Sequence, residues 1–181
     1  VVDLSDGSSD PKTLTNVAGT LFFTDTVSPF GRELWQSDGT AAGTFMKTEI
    51  YPGTLNSNPY YLTGIGDTVY FEAYSPIYNV ELWKADRTTI QLVKDIYPGA
   101  GFSDPAELTN FNGTLFFSAL DPSGYAIYKS EGTAAGTVSV KNVGPLESGW
   151  YPASNLTLAN GTLYFSRYDP SIGYQLWKSD G

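Results

Sequence analysis

The sequence predicts an all-β protein, a β-propeller of four four-stranded antiparallel blades, and three observations predict it. One pattern returns four times: Glu33-Leu34-Trp35-Gln36-Ser37-Asp38-Gly39-Thr40, Glu81-Leu82-Trp83-Lys84-Ala85-Asp86, Ala126-Ile127-Tyr128-Lys129-Ser130-Glu131-Gly132-Thr133 and Gln175-Leu176-Trp177-Lys178-Ser179-Asp180-Gly181. A turn threonine recurs at positions 20, 68, 114 and 162, at spacings of 48, 46 and 48 residues. The apolar runs are short, rich in Phe, Tyr, Val, Thr and Trp, and bounded by Gly, Pro, Asn and Asp, which marks strands and excludes helices. Repeats of about 45 residues with four strands each describe propeller blades that bury their faces against neighbours. The units run approximately over 5–50, 51–96, 97–143 and 144–181 plus 1–4, in a single domain spanning 1–181.

Each unit reads as strands A to D. Strand A carries Leu-Thr, at Leu14-Thr15, Leu62-Thr63, Leu108-Thr109 and Leu156-Thr157. Asn112-Gly113 and Asn160-Gly161 then supply the left-handed pair of a type I′ hairpin turn. Strand B is apolar at successive positions, as in Leu115-Phe116-Phe117. A sheet with one wet face would alternate, so B is expected to be covered on both faces. Strand C holds the Leu-Trp pair. Strand D alternates, as in Val138-Ser139-Val140-Lys141, and suits an outer position. The fourth unit stops after strand C, whereas the chain begins with Val1-Val2-Asp3-Leu4, a match to Val93-Lys94-Asp95-Ile96. The N-terminal strand is therefore expected to complete the last blade and close the ring, leaving no sheet edge unpaired. The rival expectation is an excerpt of a longer array, in line with a first residue that is Val1 rather than Met.

Composition limits the functional classes. The chain has 181 residues, 15% aromatic and only 16% charged, which argues against disorder. A net charge of −9 would repel a nucleic-acid backbone. No apolar run reaches the length of a membrane span. Cysteine and histidine are both absent, which excludes disulfides, histidine-based triads and most zinc sites. No glycine-rich phosphate cradle is present.

The motif Glu33-Leu34-Trp35-Gln36-Ser37-Asp38-Gly39-Thr40, the loop Thr40-Ala41-Ala42-Gly43-Thr44 and the run Val93-Lys94-Asp95-Ile96-Tyr97-Pro98-Gly99 resemble the ELWxxDGT repeat proteins. The resemblance spans essentially the whole chain. It departs at Tyr128 and Glu131, which replace Trp and Asp, and at Asp86-Arg87-Thr88-Thr89-Ile90, which lacks the Gly-Thr-Ala-Ala-Gly-Thr loop. That family comprises bacterial secreted or surface proteins with hyalin-like repeats. The resemblance implies a location outside the cell or on its surface; it implies little about activity.

Trp35, Trp83, Tyr128 and Trp177 recur at one place in every unit, so they read as core between blades rather than as a ligand cage. The Asp38-Gly39-Thr40 and Glu131-Gly132-Thr133 turns read as turn chemistry. Asp3, Asp6 and Asp10 form a denser acidic cluster, a weak Ca2+ candidate without EF-hand spacing; no other cofactor or metal is expected. The loops between B and C and between D and A emerge on one end of the ring and differ from copy to copy. They carry Phe30, Tyr74, Tyr78, Tyr125, Tyr168 and Tyr174 on one set, and Tyr51, Tyr60, Tyr97, Phe102, Trp150 and Tyr151 on the other. Rings beside Asp25, Glu72, Asp121 and Asp169 could stack on sugars and accept hydroxyl hydrogen bonds. That face is the expected binding surface. The expected function is a non-catalytic extracellular interaction or structural scaffold module with a protein or glycan partner, as a monomer or a ring completed by a second chain. The alternative is a lectin using the aromatic loop face, and third a glycoside hydrolase, which would need two carboxyls at a defined separation.

Overall fold

The structure is a computed structural model describing Leu4, residues 9–144 and residues 152–179. The described residues form fifteen β-strands and no helix. The first blade is β1 (Lys12–Val17), β2 (Thr20–Val27), β3 (Gly31–Ser37) and β4 (Phe45–Met46). The second is β5 (Tyr60–Ile65), β6 (Thr68–Ser75), β7 (Asn79–Ala85) and β8 (Ile90–Lys94). The third is β9 (Ala106–Phe111), β10 (Thr114–Asp121), β11 (Gly124–Ser130) and β12 (Val138–Gly144). The last shows β13 (Ser154–Ala159), β14 (Thr162–Asp169) and β15 (Gly173–Ser179). Strands pair antiparallel in chain order within each sheet. The strand expected to complete the last blade falls outside the described residues, Leu4 excepted.

The turns follow from their residues. Asn112 and Gly113 lie at φ 50° and 92°, and Asn160 and Gly161 at 49° and 76°, the left-handed pair of a type I′ turn. Strand A contains a feature that the sequence hid. Thr13, Tyr61, Glu107 and Asn155 all have positive φ, each at a register break in its strand. The threonine two residues later donates its hydroxyl to that residue's carbonyl in every blade, at 2.8–3.1 Å. This is a bulge, and it turns two successive side chains toward one side.

Blades stack face to face. Phe22 and Leu34 of the first meet Val69, Phe71 and Ala73 of the second. Tyr70 and Leu82 meet Leu115, Phe117 and Tyr128 in the next junction, and Phe116 and Ile127 meet Leu163 and Phe165 in the last. Strand B is thus buried on both faces, which is why its apolar residues do not alternate. Trp35 and Tyr128 are buried; Trp83 and Trp177 are half-buried, packed within the same junction clusters. The inner strands run side by side in order, β1 with β5, β5 with β9 and β9 with β13. Thr15, Thr63 and Thr109 reach the carbonyls of Leu62, Leu108 and Leu156 across these steps at 3.5, 3.0 and 3.4 Å.

Leu4 packs against Phe23 and Trp35 of the first blade, as Ile50 and Ile96 pack against the second and third. The outer face of the last blade differs from its counterparts. β13 does not run alongside β1, and Leu176 is 77% exposed where Leu34, Leu82 and Ile127 are 0%.

A buried glutamate ties the first three blades together. Glu33, beside Leu34 and Trp35, accepts from the hydroxyl of Ser57 at 2.6 Å and from the N–H groups of Ile50 and Tyr51 at 3.1 and 3.3 Å. Glu81 does the same with Ser103 at 2.6 Å, Ile96 at 2.9 Å and Tyr97 at 3.1 Å. Each serine also donates its N–H to strand C of its own side (Arg32, Val80) and accepts from strand B of the next blade (Tyr74, Leu120). The glutamate therefore fixes the loop that crosses the junction.

Candidate ligand-binding site

Three inner strands converge on a cavity of about 400 Å3 lined by Tyr60, Tyr61, Glu72, Asp104, Ala106, Tyr125 and Pro152. Tyr60 and Tyr61 open β5, and Glu72 on β6 is the register partner of Tyr60. Asp104 and Ala106 flank Pro105 at the entry to β9, Tyr125 comes from β11, and Pro152 precedes β13. Strict strand alternation would send one of the two tyrosines away. The bulge at Tyr61, with φ 56°, places both rings in the cavity. Both are exposed, whereas Tyr125 is buried.

The acids of this cavity differ in kind from Glu33 and Glu81. Those two each accept three hydrogen bonds, which counter part of their burial; burial still raises both, Glu81 to about 7. Glu72 has no such offset: burial and the nearby Asp104 carboxyl push its pKa up to about 8. Burial also raises Asp104. Burial raises the Tyr61 phenol, with Glu72, Glu107 and Asp104 adding to it, and raises Tyr125 with help from Asp104. Every charge bearing on this cavity in these groups is negative.

The aromatic loop face expected from sequence does not gather at one point. Tyr74 stacks on Tyr51 with centroids 5.3 Å apart, and Tyr78 sits edge-on to Trp83 at 6.4 Å. Tyr168 and Tyr174 pair edge to face at 5.2 Å on the outer face of the last blade. Phe30 stands exposed at a turn of the first blade. Of the expected residues, the cavity takes Tyr125, together with Tyr60 and Glu72. Trp150 and Tyr151 lie outside the described residues.

Two acids expected as sugar acceptors already accept hydrogen bonds within turns. Asp121 accepts from Ser123 N–H at 2.6 Å and from the Tyr128 hydroxyl at 2.5 Å. Asp169 accepts from Ser171 N–H and hydroxyl at 2.8 and 2.5 Å. Of the Ca2+ candidate Asp3, Asp6 and Asp10, only Asp10 is among the described residues. Asp10 Oδ2 lies 2.7 Å from Lys12 Nζ and 2.6 Å from Arg32, so two cations already hold that oxygen. Asp3 and Asp6 lie outside the described residues, and no group of three metal-ligating side chains occurs among the described ones. The Asp38-Gly39-Thr40 turn is self-contained, with Asp38 accepting from Thr40 N–H and hydroxyl at 2.9 and 2.7 Å.

No family model matches the chain, and no curated protein does. Among solved structures, an alpha-L-arabinofuranosidase from Clostridium thermocellum is similar over 96% of this chain and 69% of its own. The sequence identity is 13% and the TM-score 0.45. A likeness of that order bears on neither reaction nor ligand. The assignment of blades rests on the strand pairing described above.

Proposed function

We propose that the chain is a non-catalytic interaction module, secreted or displayed on a cell surface like the ELWxxDGT repeat proteins it resembles, and that it holds its ligand in the Tyr60–Tyr61–Glu72–Asp104 cavity. One observation carries this reading. Glu72 and Asp104 face open space without the hydrogen-bond donors that satisfy Glu33 and Glu81. Both residues are half-buried, so their carboxyl oxygens are partly withdrawn from water and open to donors that a ligand brings. The exposed tyrosine rings beside these acceptors favour a saccharide, since a sugar offers an apolar face for stacking and hydroxyls to donate.

Calorimetric titration with a panel of oligosaccharides tests the reading. Binding is expected, with affinity reduced at least about tenfold by Tyr60→Ala and unchanged by Tyr174→Ala on the outer face. Turnover of a glycoside that disappears in Glu72→Gln would overturn the non-catalytic reading. Binding lost through Tyr174→Ala alone would move the site to the last blade.

A further inference from the structure

We propose that the ligand group seated between Glu72 and Asp104 is a primary ammonium, so that the saccharide is a cationic amino sugar rather than a neutral one. This rests on the reading of the cavity as a saccharide site.

Among the described residues the cavity contains two carboxyls and three phenol rings, and neither lysine nor arginine lines it. A neutral hydroxyl can donate one hydrogen bond, but it brings no charge to set against an ionised acid. An ammonium supplies three donors and a compensating charge. It can bridge both carboxyls while a tyrosine face contributes its negative quadrupole. The three tyrosines, two of them exposed at the mouth, provide such faces.

The rest of the molecule supports the same sign. Glu107 adds a third acid felt by Tyr61, and the chain as a whole carries a net charge of −9. A cationic polymer would be drawn toward such a surface, and an anionic one repelled. On the surface, Asp10 is held by Lys12 and Arg32. Among the described residues, no such ion pair is made by Glu72 or Asp104. The groups that face Glu72 across the cavity are Asp104 from the entry to β9, Tyr60 and Tyr61 from β5, and Tyr125 from β11, with Glu107 near Tyr61. The neutral state of Glu72 in the empty cavity has a consequence: an arriving ammonium draws it into the ionised form, and its proton leaves to solvent.

The test compares D-glucosamine with D-glucose, which differ in one charged group, by calorimetry at about pH 6, where the amine is charged and Glu72 is not yet ionised. Repeating the titration in buffers of different ionisation enthalpy counts the protons released. Glucosamine is expected to bind about tenfold more tightly or better and to expel a proton. Glu72→Gln and Asp104→Asn should each bring its affinity down to the level of glucose. If glucose binds as well as glucosamine and both depend on Tyr60, the saccharide site stands and the ammonium assignment is overturned. If neither sugar binds, or Tyr60→Ala leaves both unaffected, the reading of the cavity itself fails.

Discussion

Glu81→Ala lowers the unfolding free energy by about 3 kcal/mol, the cost of leaving several buried donors unpaired. The substitution strands the N–H groups of Ile96 and Tyr97 and leaves the Ser103 hydroxyl only its 3.3 Å contact with the Val80 carbonyl. It also loosens the loop that touches both Val80 in the second blade and Leu120 in the third through Ser103. Glu81→Gln keeps an acceptor oxygen and is expected to cost about half as much. Chemical denaturation of the three proteins measures this, and a loss under about 1 kcal/mol for the alanine variant would show that the glutamate is not a tie between blades. The third unit illustrates the alternative: Ala126 stands in place of the glutamate, and the position five residues before the next Leu-Thr pair, Leu156-Thr157, is Tyr151 instead of serine.

The protein grows less stable as pH rises from about 4.5 toward 8. In the folded chain Glu72 holds its proton up to about 8 and Glu81 up to about 7, against an ordinary value of 4.5. Between these limits the unfolded chain binds fewer protons than the folded one, so every increment of pH favours unfolding. The contribution is fully present below the ordinary value and lost as pH passes through the folded values. Each unit of pKa difference corresponds to about 1.4 kcal/mol, so the two acids together are worth on the order of several kcal/mol across the window. At the acid end the sign reverses. Asp86 is held at about 2 by the N–H groups of Thr88 and Thr89, and its contribution is lost as pH falls from its ordinary 3.8 through that value. Thermal melts from mild acid to mild alkali should therefore peak near about pH 4–5. Glu72→Gln removes a titrating group and should flatten the alkaline limb. A melting temperature that climbs steadily toward pH 8 would contradict the burial of these acids.

Much of this architecture is written in short-range chemistry. The four-strand repeat, the Asn-Gly turns and the two-faced burial of Leu115-Phe116-Phe117 follow from turn residues and from the lack of alternation, and the structure places them as expected. The cavity was less legible for two physical reasons. Tyr61 shares it with Tyr60 only because a bulge breaks the two-residue period, and nothing local marks Tyr61 as a left-handed residue. Asp104 meets Glu72 across a blade junction, a contact between parts of the chain that sequence spacing cannot bring together. The role of Glu33 and Glu81 as buried ties was also hidden; the recurring serine five residues before each of the next two Leu-Thr pairs was the available signal. The same limit explains Asp121 and Asp169. An acid in a variable loop reads as a free acceptor until the turn that uses it is seen.

The ligand site itself is tested most directly by following backbone amide resonances during titration with a binding saccharide. Shifts are expected to concentrate at Tyr60, Tyr61, Glu72, Asp104, Ala106 and Tyr125, around the cavity where three inner strands meet. Shifts centred on Tyr168, Tyr174 and Leu176, with the cavity residues unmoved, would place recognition on the outer face of the last blade and contradict this account.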